Sequence, residues 1–129
     1  MNIKGILVSG TGKGTYFMSQ KIYRDQIKKS LGFRPFEGTL NIKIEEDEVE
    51  KIVKIPEGKF GIIPGKKGFG DVKFIEAKLN NEVNGAIIFP VKTHHKKDIL
   101  EFIAPQNLRK SLKLQDGDSL TLNIDVKIL

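Results

Sequence analysis

Cysteine is absent from the 129 residues. That removes disulfides, a thiolate nucleophile and any Cys-bound zinc or iron–sulfur cluster. Tryptophan is absent too, histidine occurs twice, and aromatics make up 8% of the chain. No apolar run reaches the roughly 18 residues a membrane span needs, so no membrane association is expected. Met1-Asn2-Ile3-Lys4 leads directly into a strand pattern without a signal-peptide signature, which makes the cytoplasm the expected location. Internal repeats, low-complexity segments and linkers are also missing. The length suits a single domain spanning 1–129 that buries roughly two thirds of its unfolded surface.

What is present is positive charge. Lys and Arg number 22 against 16 Asp and Glu, a net +6. Such a balance favours an anionic partner: nucleic acid, nucleotide or phosphorylated metabolite. Acidic residues concentrate in Glu45-Glu46-Asp47-Glu48-Val49-Glu50, which reads as a solvated turn.

Asn2 to Ser9 reads as a first strand. Ser19 is placed to cap a helix from Gln20 to Leu31, with Tyr23, Ile27 and Leu31 on one face and Gly32 as its stop. Further strands are expected at Gly38–Ile44, Val49–Ile55, Lys59–Pro64, Val72–Leu79, Gly85–Val91 and Asp98–Ile103. Pro56-Glu57-Gly58, Pro64 to Gly68 and Asn80-Asn81 supply turns between them. Pro105 opens a short helix through Leu112. Asp116-Gly117-Asp118 turns into a last strand, in which Leu120, Leu122, Ile124, Val126 and Ile128 alternate with polar residues. Six to eight short strands with two short helices point to a mainly β fold, a closed or nearly closed β-barrel.

Two segments carry candidate chemistry. Gly10-Thr11-Gly12-Lys13-Gly14-Thr15-Tyr16-Phe17 is an amide-rich loop after a strand. It fits neither the dinucleotide nor the Walker fingerprint: Thr15 stands where a third glycine would, and Gly14 where Ser or Thr would. Its glycines still permit close backbone approach to phosphate, and successive amides can form a positive nest; otherwise it is a turn. Phe36-Glu37-Gly38-Thr39-Leu40-Asn41 puts two neutral oxygen side chains on one strand face. Thr39 and Asn41 suit Mg²⁺, a hard cation that keeps waters and substrate phosphates; the plain alternative is a solvent-facing pair. Adjacent His94 and His95 point to opposite strand faces and lack a third spaced ligand, so no metal is assigned to them. Glu101, between Leu100 and Phe102, is either an outward strand residue or a site carboxylate.

In order and spacing, Gly10–Phe17, Leu31-Gly32-Phe33-Arg34-Pro35 running into Phe36–Asn41, Gly85-Ala86-Ile87-Ile88 with Thr93-His94-His95, and Glu101-Phe102-Ile103-Ala104-Pro105 with Leu108-Arg109 resemble the archaeal CTP-dependent riboflavin kinases over nearly the whole chain. The resemblance implies a six-stranded cradle-loop barrel that transfers the γ-phosphate of CTP to the terminal ribityl hydroxyl of riboflavin, giving FMN and CDP. It implies nucleotide contacts from Thr11, Gly12, Lys13, Gly14, Thr15 and Tyr16 and from Gln106, Asn107, Leu108 and Arg109, with Lys13 at a variable loop position. It further implies flavin contacts from Thr93 and Glu101, and Mg²⁺ on Thr39 and Asn41. A catalytic role for Glu101 as base is the alternative to a flavin contact. No N-terminal DNA-binding extension, no nucleic-acid partner and a monomer are expected.

Two rivals belong to other classes. A small basic β-barrel could bind nucleic acid, but no strand interleaves basic and aromatic residues into a stacking platform. A non-catalytic flavin-binding barrel would use Thr93 and Glu101 and leave the glycine loop without a task.

Overall fold

A computed structural model describes residues 1–9, 21–36, 39–64, 71–90 and 98–125. Seven strands form one antiparallel sheet: β1 (Asn2–Val8), β2 (Leu40–Ile44), β3 (Gly61–Ile63), β4 (Val72–Leu79), β5 (Val83–Pro90), β6 (Ile99–Ile103) and β7 (Ser119–Asn123). Their order is β3-β4-β5-β6-β2-β1-β7, with a further β4–β7 pairing. That pairing joins Lys78 and Leu79 to Asn123 and Leu122, closing a six-stranded barrel. The short β3 lies outside the ring and pairs with the other end of β4, from Val72 to Phe74. Closure removes sheet edges that would otherwise be open to pairing with other chains.

Strand alternation sorts the apolar residues into two layers. Ile3, Leu7, Leu40, Ile42, Ile87, Leu100, Phe102, Leu120 and Leu122 fill the interior. In a second cluster, Ile63, Val72, Ala86, Ile88 and Ile103 on the outer face pack beneath Tyr23 and Ile27 of helix α1 (Lys21–Leu31). The expected apolar stripe of α1 is therefore the face that packs. Burial first, and then the charge of Asp71, raises the Tyr23 hydroxyl above its ordinary pKa. Gly32 ends the helix with φ +82° while its amide donates to the Lys28 carbonyl at 2.9 Å, a left-handed cap that glycine adopts without strain. Gly85 has a different reason: a Cβ there would run into the Ile103 carbonyl and the Phe102 ring.

The Val49–Ile55 strand and the acidic turn before it are not what forms. Residues Glu46–Val53 make helix α2. Glu46, Asp47 and Glu48 occupy its first turn, where negative charge complements the helix dipole. Val49 and Ile52 pack on the barrel core at a helical spacing of three. The β-branched residues suggested a strand, and the acidic first turn outweighed them. A 3₁₀ turn at Glu57–Lys59 precedes β3, and Lys73 bonds both oxygens of Glu57 at 2.9 Å while lying over the Phe60 ring. The second expected helix is shorter than its sequence suggests: α3 spans Leu108–Ser111. Asn107 takes the capping position, its side chain accepting from the Lys110 amide at 3.2 Å, so Pro105 stays outside the helix. The Asn80-Asn81 turn forms as read, with φ +51° and +58°.

Candidate functional site

The site grows out of strand register. Val8 lies opposite Asn41, Asn41 opposite Glu101, and Glu101 opposite Ile88. Opposed residues of antiparallel strands share a face, so the four form one row across β1, β2, β6 and β5. The flanking Leu7, Leu40, Ile42, Leu100, Phe102 and Ile87 point into the barrel. The row therefore lies on the outer face, and Ile88 joins it to the apolar layer under α1.

Two members of this row are polar and buried. Asn41 is 8% exposed and Glu101 5%. The Thr39 hydroxyl donates to Glu101 Oε1 at 3.4 Å, and Asn41 Nδ2 donates to the Thr39 carbonyl at 3.5 Å. Asn41 Oδ1 is buried and, among the described residues, has no hydrogen-bond donor. Such an atom costs free energy unless something else satisfies it. Three side-chain oxygen groups thus converge, one of them an amide oxygen awaiting a partner. The donor set is all oxygen and mostly neutral, which fits Mg²⁺ bound jointly with phosphate. Among the described residues no cluster of three or more His, Asp or Glu side chains could form a dedicated cage.

The chain after β1 leads directly from this row into the glycine loop. Thr11, Gly12, Lys13, Gly14, Thr15 and Tyr16 lie outside the described residues, as do Thr93, His94 and His95. Of the second segment expected to contact nucleotide, Gln106 is exposed and Leu108, 4% exposed, belongs to the barrel core. Asn107 spends its side chain on the helix cap. Arg109 reaches back to the end of β1: its Nη2 donates to the Val8 carbonyl at 3.3 Å and to Asp116 Oδ1 at 2.7 Å. Ser9 Oγ donates to the other oxygen of Asp116. Sequence reading took Asp116 for a turn residue only; its one signal was a carboxylate seven residues after Arg109.

A separate groove of about 620 Å³ opens toward the Val83 end of β5, between Phe33, Asn81, Asn84, Asn123 and Asp125. It shares no residue with the row. None of the described helices is long and apolar enough to cross a membrane.

A family model named for CTP-dependent riboflavin kinase, and described as a domain of unknown function, DUF120, matches residues 7–124. The chain belongs to the CTP-dependent riboflavin kinase family. A protein named riboflavin kinase from Methanothermobacter thermautotrophicus is 53% identical over 117 residues, covering 91% of this chain and 93% of the relative. Another of that name from Methanobrevibacter smithii is 47% identical over 122 residues, covering 95% and 98%. A third from Archaeoglobus fulgidus is 38% identical over 128 residues, covering 96% of this chain and 54% of the longer relative. The family match thus begins at Leu7, beside the Val8–Asn41 pair, and takes in the whole polar row.

Proposed function

We infer that this chain is a riboflavin kinase of the CTP-dependent family. The terminal ribityl hydroxyl of riboflavin attacks the γ-phosphorus of CTP, the bond to the β–γ bridging oxygen breaks, and FMN and CDP are the products. The hydroxyl proton is released to solvent. The observation that carries this reading is the match of nearly the full length to relatives bearing that name, one of them at 53% identity. The buried row of oxygen side chains is the local support.

In this reading Thr39 and Asn41 hold Mg²⁺, which when bound neutralises phosphate charge and helps orient the transferred group. The Thr39 hydroxyl donates its hydrogen bond to Glu101 and keeps its lone pairs for the ion. The Asn41 amide nitrogen is turned to the Thr39 carbonyl, which leaves Oδ1 for the ion. The glycine-loop amides, from Thr11 to Tyr16, wrap the polyphosphate, as phosphoryl transfer requires positioning and charge stabilisation more than a strong base. Gln106 and Arg109 contribute side chains to the nucleotide; Asn107 and Leu108, whose side chains are engaged elsewhere, contribute backbone. Glu101 and Thr93 contact the flavin. Beside Thr39 and across from Asn41, Glu101 stands where the ribityl chain must meet the phosphate, which also keeps it eligible as a base.

The test is direct. Incubating the protein with riboflavin, Mg²⁺ and each of CTP, ATP, GTP and UTP is expected to give FMN with CTP, with ATP a poor donor. Equal use of all four nucleotides would remove the cytidine preference, and no FMN with any would remove the reading.

A further inference from the structure

We propose that Asp116 is a positioning residue for the donor nucleotide: its carboxylate fastens the last residue before the glycine loop to the guanidinium of Arg109. This rests on the kinase reading and extends it to a residue outside both nucleotide segments.

The geometry is a three-membered clamp. One carboxylate oxygen accepts from Nη2 of Arg109 at 2.7 Å, and the other accepts from Ser9 Oγ. The same Arg109 nitrogen also bonds the Val8 carbonyl at 3.3 Å. Asp116 is itself held in place. The Gly117 amide donates to the Leu7 carbonyl at 2.8 Å, and the Leu7 amide to the Asp118 carbonyl at 2.9 Å. Gly117 takes φ +95°, and the Gln115 amide donates to Asp118 Oδ2 at 2.8 Å. The Leu114 amide returns to the Arg109 carbonyl at 2.9 Å, closing the connection from α3. The turn is thus laced to β1 by backbone bonds, and Asp116 is the side chain it presents to Ser9 and Arg109.

Two features separate this from an ordinary surface pair. Arg109 and Asp116 keep 39% and 50% of their side chains exposed, so the pair contributes little to folding. Its position matters more. Ser9 is followed by the glycine loop, and Val8 is the neighbour of Asn41 in the polar row. Among the described residues, no acceptor engages Nη1 or Nε of Arg109, which leaves donors of its planar fork for an anion. The hydrogen bond from Ser9, then that from Arg109, holds the Asp116 carboxyl below its ordinary value. It is therefore ionised at neutral pH.

The experiment measures CDP binding by calorimetry and the KM for CTP and for riboflavin, on the unaltered chain and on Asp116→Asn, Asp116→Ala, Arg109→Lys and the Arg109→Lys/Asp116→Asn double variant. Asp116→Asn keeps an acceptor for Ser9 and loses the charge that orients Arg109. The expected result is a roughly tenfold weaker CDP affinity and higher CTP KM, with riboflavin KM within about twofold and an unchanged melting temperature. The double variant should be no weaker than the worse single one, because the residues act as a unit. Unchanged CDP affinity in both Asp116 variants, equal losses for CDP and riboflavin, or strictly additive losses would overturn the proposal. If the unaltered chain makes no FMN, the kinase reading fails while the CDP titration still decides the role of Asp116; an unaltered chain that binds no CDP overturns both.

Discussion

Where Asn41 faces Glu101, strands β2 and β6 bury both of their faces, with opposite chemistry. Inward go Leu40, Ile42, Leu100 and Phe102; outward, at the same register, go Asn41 and Glu101. The inner face obeys the rule that apolar surface leaves water. The outer face breaks it, since a buried amide oxygen with no donor among the described residues opposes folding. The difference teaches where the two faces are useful. One holds the barrel together, and the other, in the proposed reading, keeps oxygen atoms dry for a ligand, at some cost in stability.

Substitutions on the two faces should therefore separate stability from activity. The largest effect is expected on the inner face. Phe102, 1% exposed, should lose about 3–5 kcal/mol on truncation to Ala, measured by urea unfolding. A loss below about 1 kcal/mol would mean that the interior is not the closed core described. On the outer face Asn41→Leu should do the reverse. Turnover should fall roughly 10²-fold through loss of one electrostatic partner, with stability unchanged or raised because the orphaned oxygen is gone. Thr39→Val should act in the same direction.

Glu101 sharpens the comparison further, being the acidic member of the outer row. Glu101→Gln preserves shape and an acceptor for the Thr39 hydroxyl. Riboflavin affinity should fall a few-fold while the single-turnover rate survives. A rate loss of ~10²–10⁴-fold at unchanged affinity would make Glu101 the base instead. The smallest effect on stability belongs to Asp116. Its lowered pKa means that its ion pair stabilises the fold above the unfolded carboxyl value and is lost as pH falls through the folded value, which lies under 3.8. Any difference in melting temperature between the unaltered chain and Asp116→Asn should be flat across neutral pH and vanish only in acid.

The barrel was legible because strand alternation is a two-residue code, which β7 follows cleanly, and α1 was legible from the four-residue helical spacing of Tyr23, Ile27 and Leu31. Helix α2 was not. Val49, Ile52 and Val53 have strand-forming side chains, and the acidic turn that favours a helix was read as mere solvation. The pairing of Thr39 with Asn41 followed from the same alternation. That Glu101 lies directly opposite Asn41 did not, since cross-strand register links residues far apart in the chain. Asp116 was hidden for the same reason, 107 positions from its partner Ser9.

The claim that the outer row holds the ion used for phosphoryl transfer is tested most directly by titrating Mg²⁺. FMN formation is followed at saturating CTP and riboflavin, for the unaltered chain and for Asn41→Leu, with melting temperatures recorded alongside. The account predicts a curve for Asn41→Leu displaced to at least about tenfold higher Mg²⁺, with a lower plateau and an unchanged or higher melting temperature. Superimposable curves from two equally folded proteins would contradict it.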